Sequence, residues 1–179
     1  MTRRTLLAPA AITTIALLLI CLSAERAHAQ QGASLAVGAA MPTGDLASTA
    51  STGFDIQLQV RTEPLVGPLG LRIDIGYDRL SGKNGTASTT ISAQSVGIID
   101  NFGPMFYWVV GPGYYQSQQT AQILGHNVTD QRQYLGGLAA LGMNVPVFRW
   151  EGFFEVAGVK LFTPGPTRMY VPLRFGMHL

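Results

Sequence analysis

The stretch Arg168-Met-Tyr-Val-Pro-Leu-Arg-Phe-Gly-Met-His-Leu179 constrains the fold of this chain more than any other. Met169, Val171, Leu173, Phe175, Met177 and Leu179 are apolar, whereas Arg168, Tyr170, Pro172, Arg174, Gly176 and His178 between them are polar, small or amphipathic. Successive strand side chains point to opposite faces, so the stretch reads as a β-strand with one greasy and one polar face. The alternation runs undiminished to Leu179. A soluble domain rarely exposes such a strand, but a transmembrane barrel closes itself with one.

The opposite end sets the compartment. Arg3 and Arg4 precede an apolar run from Leu6 to Leu22, and Ala27-His28-Ala29 follows. A charged region, an apolar region and a small-residue site read as a secretory signal peptide, with cleavage expected after Ala29. The run is too short for a membrane-spanning helix, which needs roughly 20 apolar residues. Paired arginines also suit a twin-arginine signal, and Cys21 a lipoprotein. The first would require folding before export, and Ile20 stands where the second usually has a small residue. Residues 30–179 are then one domain.

Cleavage removes Arg3, Arg4, Arg26 and Glu25, and with them the whole formal charge of +2. The formally neutral mature chain argues against nucleic acid as a partner. Cys21, the sole cysteine, leaves too, so neither disulfides nor thiol chemistry are expected. Charged residues make up 12% of the chain, about half the share usual in soluble globular proteins. No later stretch resembles a helical span. An exported chain, poor in charge and lacking a helical span, points to a β-barrel.

Period-two segments recur along the domain. Ala33–Met41 is a first strand. In a second, Phe54, Ile56, Leu58 and Val60 alternate with Asp55, Gln57, Gln59 and Arg61. In a third, Leu71, Ile73, Ile75 and Tyr77 alternate with Arg72, Asp74, Gly76 and Asp78. A fourth spans about Thr89–Asp100, where ambiguous parity suggests a bulge. The fifth, Phe106–Tyr115, is broken by Gly111-Pro112-Gly113. The sixth covers about Gln133–Val145, the seventh Trp150–Phe162, and the closing strand makes eight. Connections 42–52, 81–88 (with the tight-turn pair Asn84-Gly85) and 116–130 are long and polar, whereas the second, fourth and sixth are short; the seventh is short too and breaks the alternation. Long external loops and short periplasmic turns fit an eight-stranded antiparallel up-and-down transmembrane barrel with both ends on the periplasmic side. Phe102, Phe106, Tyr107 and Trp108, with Phe148 and Trp150, fit an interfacial aromatic girdle.

Three segments carry a family resemblance. Tyr134-Leu-Gly-Gly-Leu-Ala-Ala-Leu-Gly-Met-Asn-Val-Pro146, Phe153-Phe-Glu-Val156 and Val171-Pro-Leu-Arg-Phe-Gly-Met-His-Leu179 resemble the small outer-membrane β-barrel family of OmpX/OmpA type. The Phe106–Tyr115 segment resembles that family's middle strand. The resemblance implies an eight-stranded outer-membrane barrel. Its last strand, with Val171, Leu173, Phe175, Met177 and Leu179, would be read by the barrel-assembly machinery during insertion. That signal usually ends in an aromatic residue, and here it ends in Leu179.

If the apolar parity faces lipid, Asp55, Arg61, Arg72, Asp74, Asp78 and Arg174 face the interior. The reverse is expensive, since an Arg facing lipid at the midplane costs roughly 2–4 kcal/mol. An eight-stranded barrel has room inside only for side chains, and buried charges must pair. A hairpin centred on residues 164–165 sets Glu155 opposite Arg174, predicting an interior ion pair. Asp55, Arg72 and Asp74 are expected to join it in a structural plug, with a polar gate for ions as the alternative.

Catalysis has little support. A lipid-modifying barrel enzyme needs a Ser–His pair, and nothing fixes Ser117 beside His126. No metal-ligand spacing is present. Gly136-Gly-Leu-Ala-Ala-Leu-Gly142 lacks the Lys-Ser/Thr of a nucleotide loop and lies in a strand pattern, where small residues suit a narrow lumen. Asn84 and Asn127 open glycosylation-type triplets of the kind expected by chance. The expectation is therefore a monomeric, non-enzymatic outer-membrane barrel without cofactors, in contact with outer-membrane lipid. Its role would be structural or surface interaction through the loops, with an unknown extracellular ligand. A narrow pore, a soluble lipocalin-like barrel with apolar residues inside and a lipid-modifying enzyme are the alternatives.

Overall fold

The computed structural model describes residues 32–62, 64–83, 87–123, 126–147, 149–165 and 167–179, without the side chains of 122–127. The expected signal peptide, Asn84-Gly85-Thr86 and Phe148 lie outside the described residues. The strands are β1 (Gly32–Gly44), β2 (Ala50–Arg61), β3 (Gly70–Gly82), β4 (Ser88–Phe102), β5 (Phe106–Ile123), β6 (His126–Val147), β7 (Trp150–Leu161) and β8 (Arg168–His178). Each pairs antiparallel with the next, and β8 pairs with β1 from His178 opposite Ser34 to Arg168 opposite Gly44. The closing strand thus abolishes both sheet edges, which an open sheet would leave as rows of unpaired backbone groups. One end of the barrel carries the termini and the connections 62–69, 103–105 and 148–149; the other carries the remaining four.

The pleat sorts the side chains as a lipid-facing barrel requires. Leu35, Val37, Phe54, Ile56, Leu58, Ile75, Tyr77, Val96, Ile98, Val110, Leu135, Leu141, Phe154, Val156 and Leu173 are all exposed on the outer wall. Ser34, Asp55, Gln57, Gln59, Arg72, Asp74, Asp78, Ser95, Glu155 and Arg174 are buried inside. This is the inverse of a lipocalin-like barrel. Soluble monomers rarely expose apolar patches beyond a few hundred Å², so a belt around the whole circumference needs an apolar surrounding.

Several expectations are corrected. β4 has continuous parity and unbroken register with β5, so it contains no bulge. Its pattern misleads because Ile91 and Ile99 point inward while Thr90, Ser92 and Gln94 point outward. The register shift lies in β2, between Ser51 and Phe54. At Gly53 a Cβ would stand 1.7 Å from the Arg79 carbonyl oxygen, so the irregular backbone there admits only glycine. Gly111-Pro112-Gly113 does not interrupt β5. Residues 116–130 are no loop but the far end of a hairpin, β5 pairing with β6 as far as Ile123 opposite His126. β6 meets β7 only from Gly136 onward, so this hairpin projects past its neighbour. The first connection holds a short helix, α1 (Leu46–Thr49), whose Leu46 is buried.

Candidate functional site

The candidate site is the lumen, and its chemistry is arranged along the barrel axis. At the hairpin end Ala40, Leu46, Ala50, Leu80, Ile91, Val159, Leu161 and Tyr170 belong to one buried apolar cluster. α1 folds over this end, tied down by Lys83, whose Nζ donates to the Ala47 carbonyl (2.6 Å) and whose N–H donates to Thr49 (3.0 Å).

Below this apolar layer lie the charges. β8 places Arg174 directly across from Glu155 on β7 in one direction and Gly38 on β1 in the other. The Arg174 Nη1 donates to Glu155 Oε1 (3.1 Å). Its Nε and Nη2 donate in parallel to Asp55 Oδ1 (2.7 Å) and Oδ2 (2.9 Å). Asp55 is on β2, the strand beyond β1, and it pairs with that same Gly38. The guanidinium therefore crosses a whole strand, over the one position that offers no side chain. A Cβ on Gly38 would stand 1.9 Å from the Leu173 carbonyl oxygen, so the strands also approach too closely there for anything larger.

Arg72, on β3, completes the layer across the lumen. It contacts Glu155 through Nη1 and Nη2, and its Nε and Nη2 donate to Asp74 Oδ2 (3.1 and 3.0 Å). Ser95 Oγ donates to the same Asp74 oxygen (3.3 Å), and Tyr107 OH to Glu155 Oε2 (3.0 Å). The structure thus brings Asp55, Arg72, Asp74, Glu155 and Arg174 into one connected network. Charge-assisted, partly bidentate bonds of this kind are the strong ones, and burial without them would be prohibitive. Val171, Leu173, Phe175 and Met177 stand on the outer face of β8, with Leu179 just beyond it. Ser117 is buried inside β5, and the side chain of His126 is not among those described. Among the described residues no His, Cys, Asp and Glu grouping could hold a metal.

The terminus end is more open. A cavity of about 340 Å³ opens there between Arg61, Ile99, Met105, Asn144, Glu151 and His178. Arg61 roofs it, its guanidinium carbon 4.3 Å from the centre of the Tyr107 ring and 5.4 Å from that of Phe153, a cation–π arrangement. His178 Nδ1 bonds Ser34 Oγ at 2.7 Å. Tyr107 is therefore a lumen residue and not part of the outer girdle. Phe102 and Phe106, 5.6 Å apart, stack outside, and Phe154 packs against Phe175 at 5.0 Å.

Sequence reasoning placed Tyr107 in the outer girdle and did not single out Tyr170, Ser95 or Gly38. A signal for the first was present in the small-residue run of β6. The Tyr107 ring lies flat on Gly142, where a Cβ would be 2.0 Å from Cζ. Glycines repeating on the inward parity mark where rings must lie down.

The projecting hairpin is the other distinctive surface. Its outer face carries Gln116, Gln118 and Thr120 on β5 opposite Gln133, Gln131 and Thr129 on β6. Asp130 and Arg132 pair on the other face (2.8 Å).

No protein-family model matches the sequence, and no curated protein matches it. Solved structures share the fold. Neisserial surface protein A aligns with a TM-score of 0.54 and 10% identity, over 82% of this chain and 94% of that one. The attachment invasion locus protein Ail of Yersinia pestis gives 0.53 and 14%, over 83% and 98%. A major outer membrane protein of Thermus thermophilus gives 0.52 and 13%, over 84% and 98%. The chain has the fold of small eight-stranded outer-membrane β-barrels.

Proposed function

We propose that this protein is an integral outer-membrane barrel, exported by a signal peptide cleaved after Ala29, with a structural or surface-interaction role at its hairpin end. The observation that carries this reading is the apolar outer wall around a charged, hydrogen-bonded lumen. In water that arrangement exposes what should be buried and buries what should be exposed; in a bilayer both faces are satisfied. The outer face of β8 offers Val171, Leu173, Phe175 and Met177 to the barrel-assembly machinery. The protein acts as a monomer without a cofactor, and its activity is not enzymatic.

The filled lumen favours an anchor over a pore. Arg72 and Glu155 span the barrel and are fully buried, with an apolar layer above them. The working surface is then the β5–β6 hairpin. One Ail structure is a complex with the heparin analogue sucrose octasulfate. A polyanion of that kind needs clustered cations, whereas the hairpin's single described cation, Arg132, is already paired with Asp130. The hairpin therefore suits uncharged partners.

Fractionation tests the membrane assignment. The expected result is mature protein that resists alkaline carbonate extraction and migrates differently in gels when boiled. Recovery in the aqueous fraction would refute it.

A further inference from the structure

The charged layer contains one carboxyl group too many. Asp55, Asp74 and Glu155 each contact a guanidinium of Arg72 or Arg174. Asp78 contacts neither, so the four buried carboxyls of Asp55, Asp74, Asp78 and Glu155 share only the two guanidiniums of Arg72 and Arg174; Arg61 lies over Tyr107 and Phe153, and Arg168 over Tyr134. Asp78 is also completely buried, at 0% exposure. Tyr170 OH donates to its Oδ2 (2.8 Å), but Oδ1 has no partner. Across the β2–β3 register its neighbour is Asp55, on the same inward face, and side chains directly opposite each other on adjacent strands stand about 5 Å apart at Cβ.

Two ionised carboxylates cannot share a dry site of this kind. Like charges a few ångströms apart favour the state in which one of them holds a proton, and an unpaired buried charge is among the costliest features a protein can carry. The remaining surroundings do not relieve it. Arg174, on β8, is committed to Asp55 and Glu155. Tyr170 is an uncharged donor, and Tyr115, buried on β5, likewise brings a phenol and no positive charge. On β4 the residue opposite is Ile91.

We propose that Asp78 is the lumen's proton-holding group, protonated at neutral pH on Oδ1 and donating that hydrogen to the carboxylate of Asp55. The bond satisfies the orphan oxygen, leaves Oδ2 as a carbonyl-type acceptor for Tyr170 and lets Asp55 keep its full charge for Arg174. The proton comes from and returns to water, so no co-reactant is involved. Above the pH at which Asp78 releases it, the lumen gains an uncompensated negative charge and the barrel loosens.

Infrared spectroscopy of the refolded full-length domain in detergent micelles tests this without reference to membrane residence. The expected result is a protonated-carboxylic-acid carbonyl band at neutral pH that disappears in D78N. Asparagine also imitates the protonated acid, since its amide can donate to Asp55. Hence the urea midpoint of D78N should match the wild type at neutral pH. It should stay level at alkaline pH, where that of the wild type falls. No acid band in the wild type overturns the proposal whether or not D78N folds. So does a band that survives in D78N, or a midpoint that follows sodium or potassium concentration with no band, which would assign the excess charge to a bound cation.

Discussion

The two halves of the lumen solve the same packing problem with different chemistry. At the hairpin end, Leu80, Ile91 and Leu161 fill the space beneath Leu46 by contact alone, and only the Tyr170 hydroxyl reaches out of that layer, to Asp78. Towards the termini, Arg72, Glu155, Arg174, Asp55 and Asp74 fill it with directed bonds, and a 340 Å³ cavity lies beyond. Contact packing tolerates exchanges of shape; removing one member of an ion network leaves the others charged and dry. The hairpin half is thus expected to bend under mutation and the charged half to break.

The largest effect should come from Arg174→Ala. It strands Asp55 and takes one of two guanidiniums from Glu155, and losing one partner of a buried ion network costs about 3–5 kcal/mol. Urea unfolding in micelles should show the loss, and a near-neutral result would mean water reaches these carboxylates. In the apolar half, Leu80→Ala should cost roughly 2–5 kcal/mol depending on how far the site collapses, and Leu80→Met less than about 1.5 kcal/mol. That tolerance of exchange is what separates the halves. Next in size, Gly142→Ala drives a Cβ into the Tyr107 ring, an overpacking of about 1–3 kcal/mol. Shrinking the ring in G142A/Y107L should recover part of it, and a purely additive double mutant would disprove the ring-on-glycine contact. The smallest effect belongs to the tip of the projecting hairpin, beyond the last β4–β5 pair at Thr120: removing residues 121–128 and joining Thr120 to Thr129 should change the unfolding free energy by no more than about 0.5 kcal/mol, the scale of surface changes that touch no core feature. A cooperative loss of the whole barrel would show that the hairpin is part of its core.

Legibility in the sequence followed the solvent. β2 and β3 lie between lipid and the charged lumen, so apolar and polar residues alternate strictly, and their faces were readable. β4 and the outer part of the β5–β6 hairpin were not, because the contrast vanishes once the outer face is itself polar. Thr90, Ser92, Gln94, Gln116 and Gln118 point outward just as Val96 and Val110 do, but without the apolar mark. Glu155 opposite Arg174 was readable because one turn sets the register of one hairpin. Asp55 beside Arg174 was not, since it depends on β8 pairing with β1 and on Gly38 being bare. Arg72 against Glu155 depends on closure of the entire sheet.

That last dependence bears on biogenesis. Asp55, Arg72, Asp74 and Asp78 are translated well before Glu155 and Arg174. A nascent barrel ending before β7 has three of the acids but only one of the two bridging guanidiniums. In it Asp55 lacks the guanidinium to which both of its oxygens bond, and burial penalises an unpaired carboxylate. The late arrival of Arg174 therefore works as a completeness check: the lumen becomes electrically acceptable only when the final strand has docked.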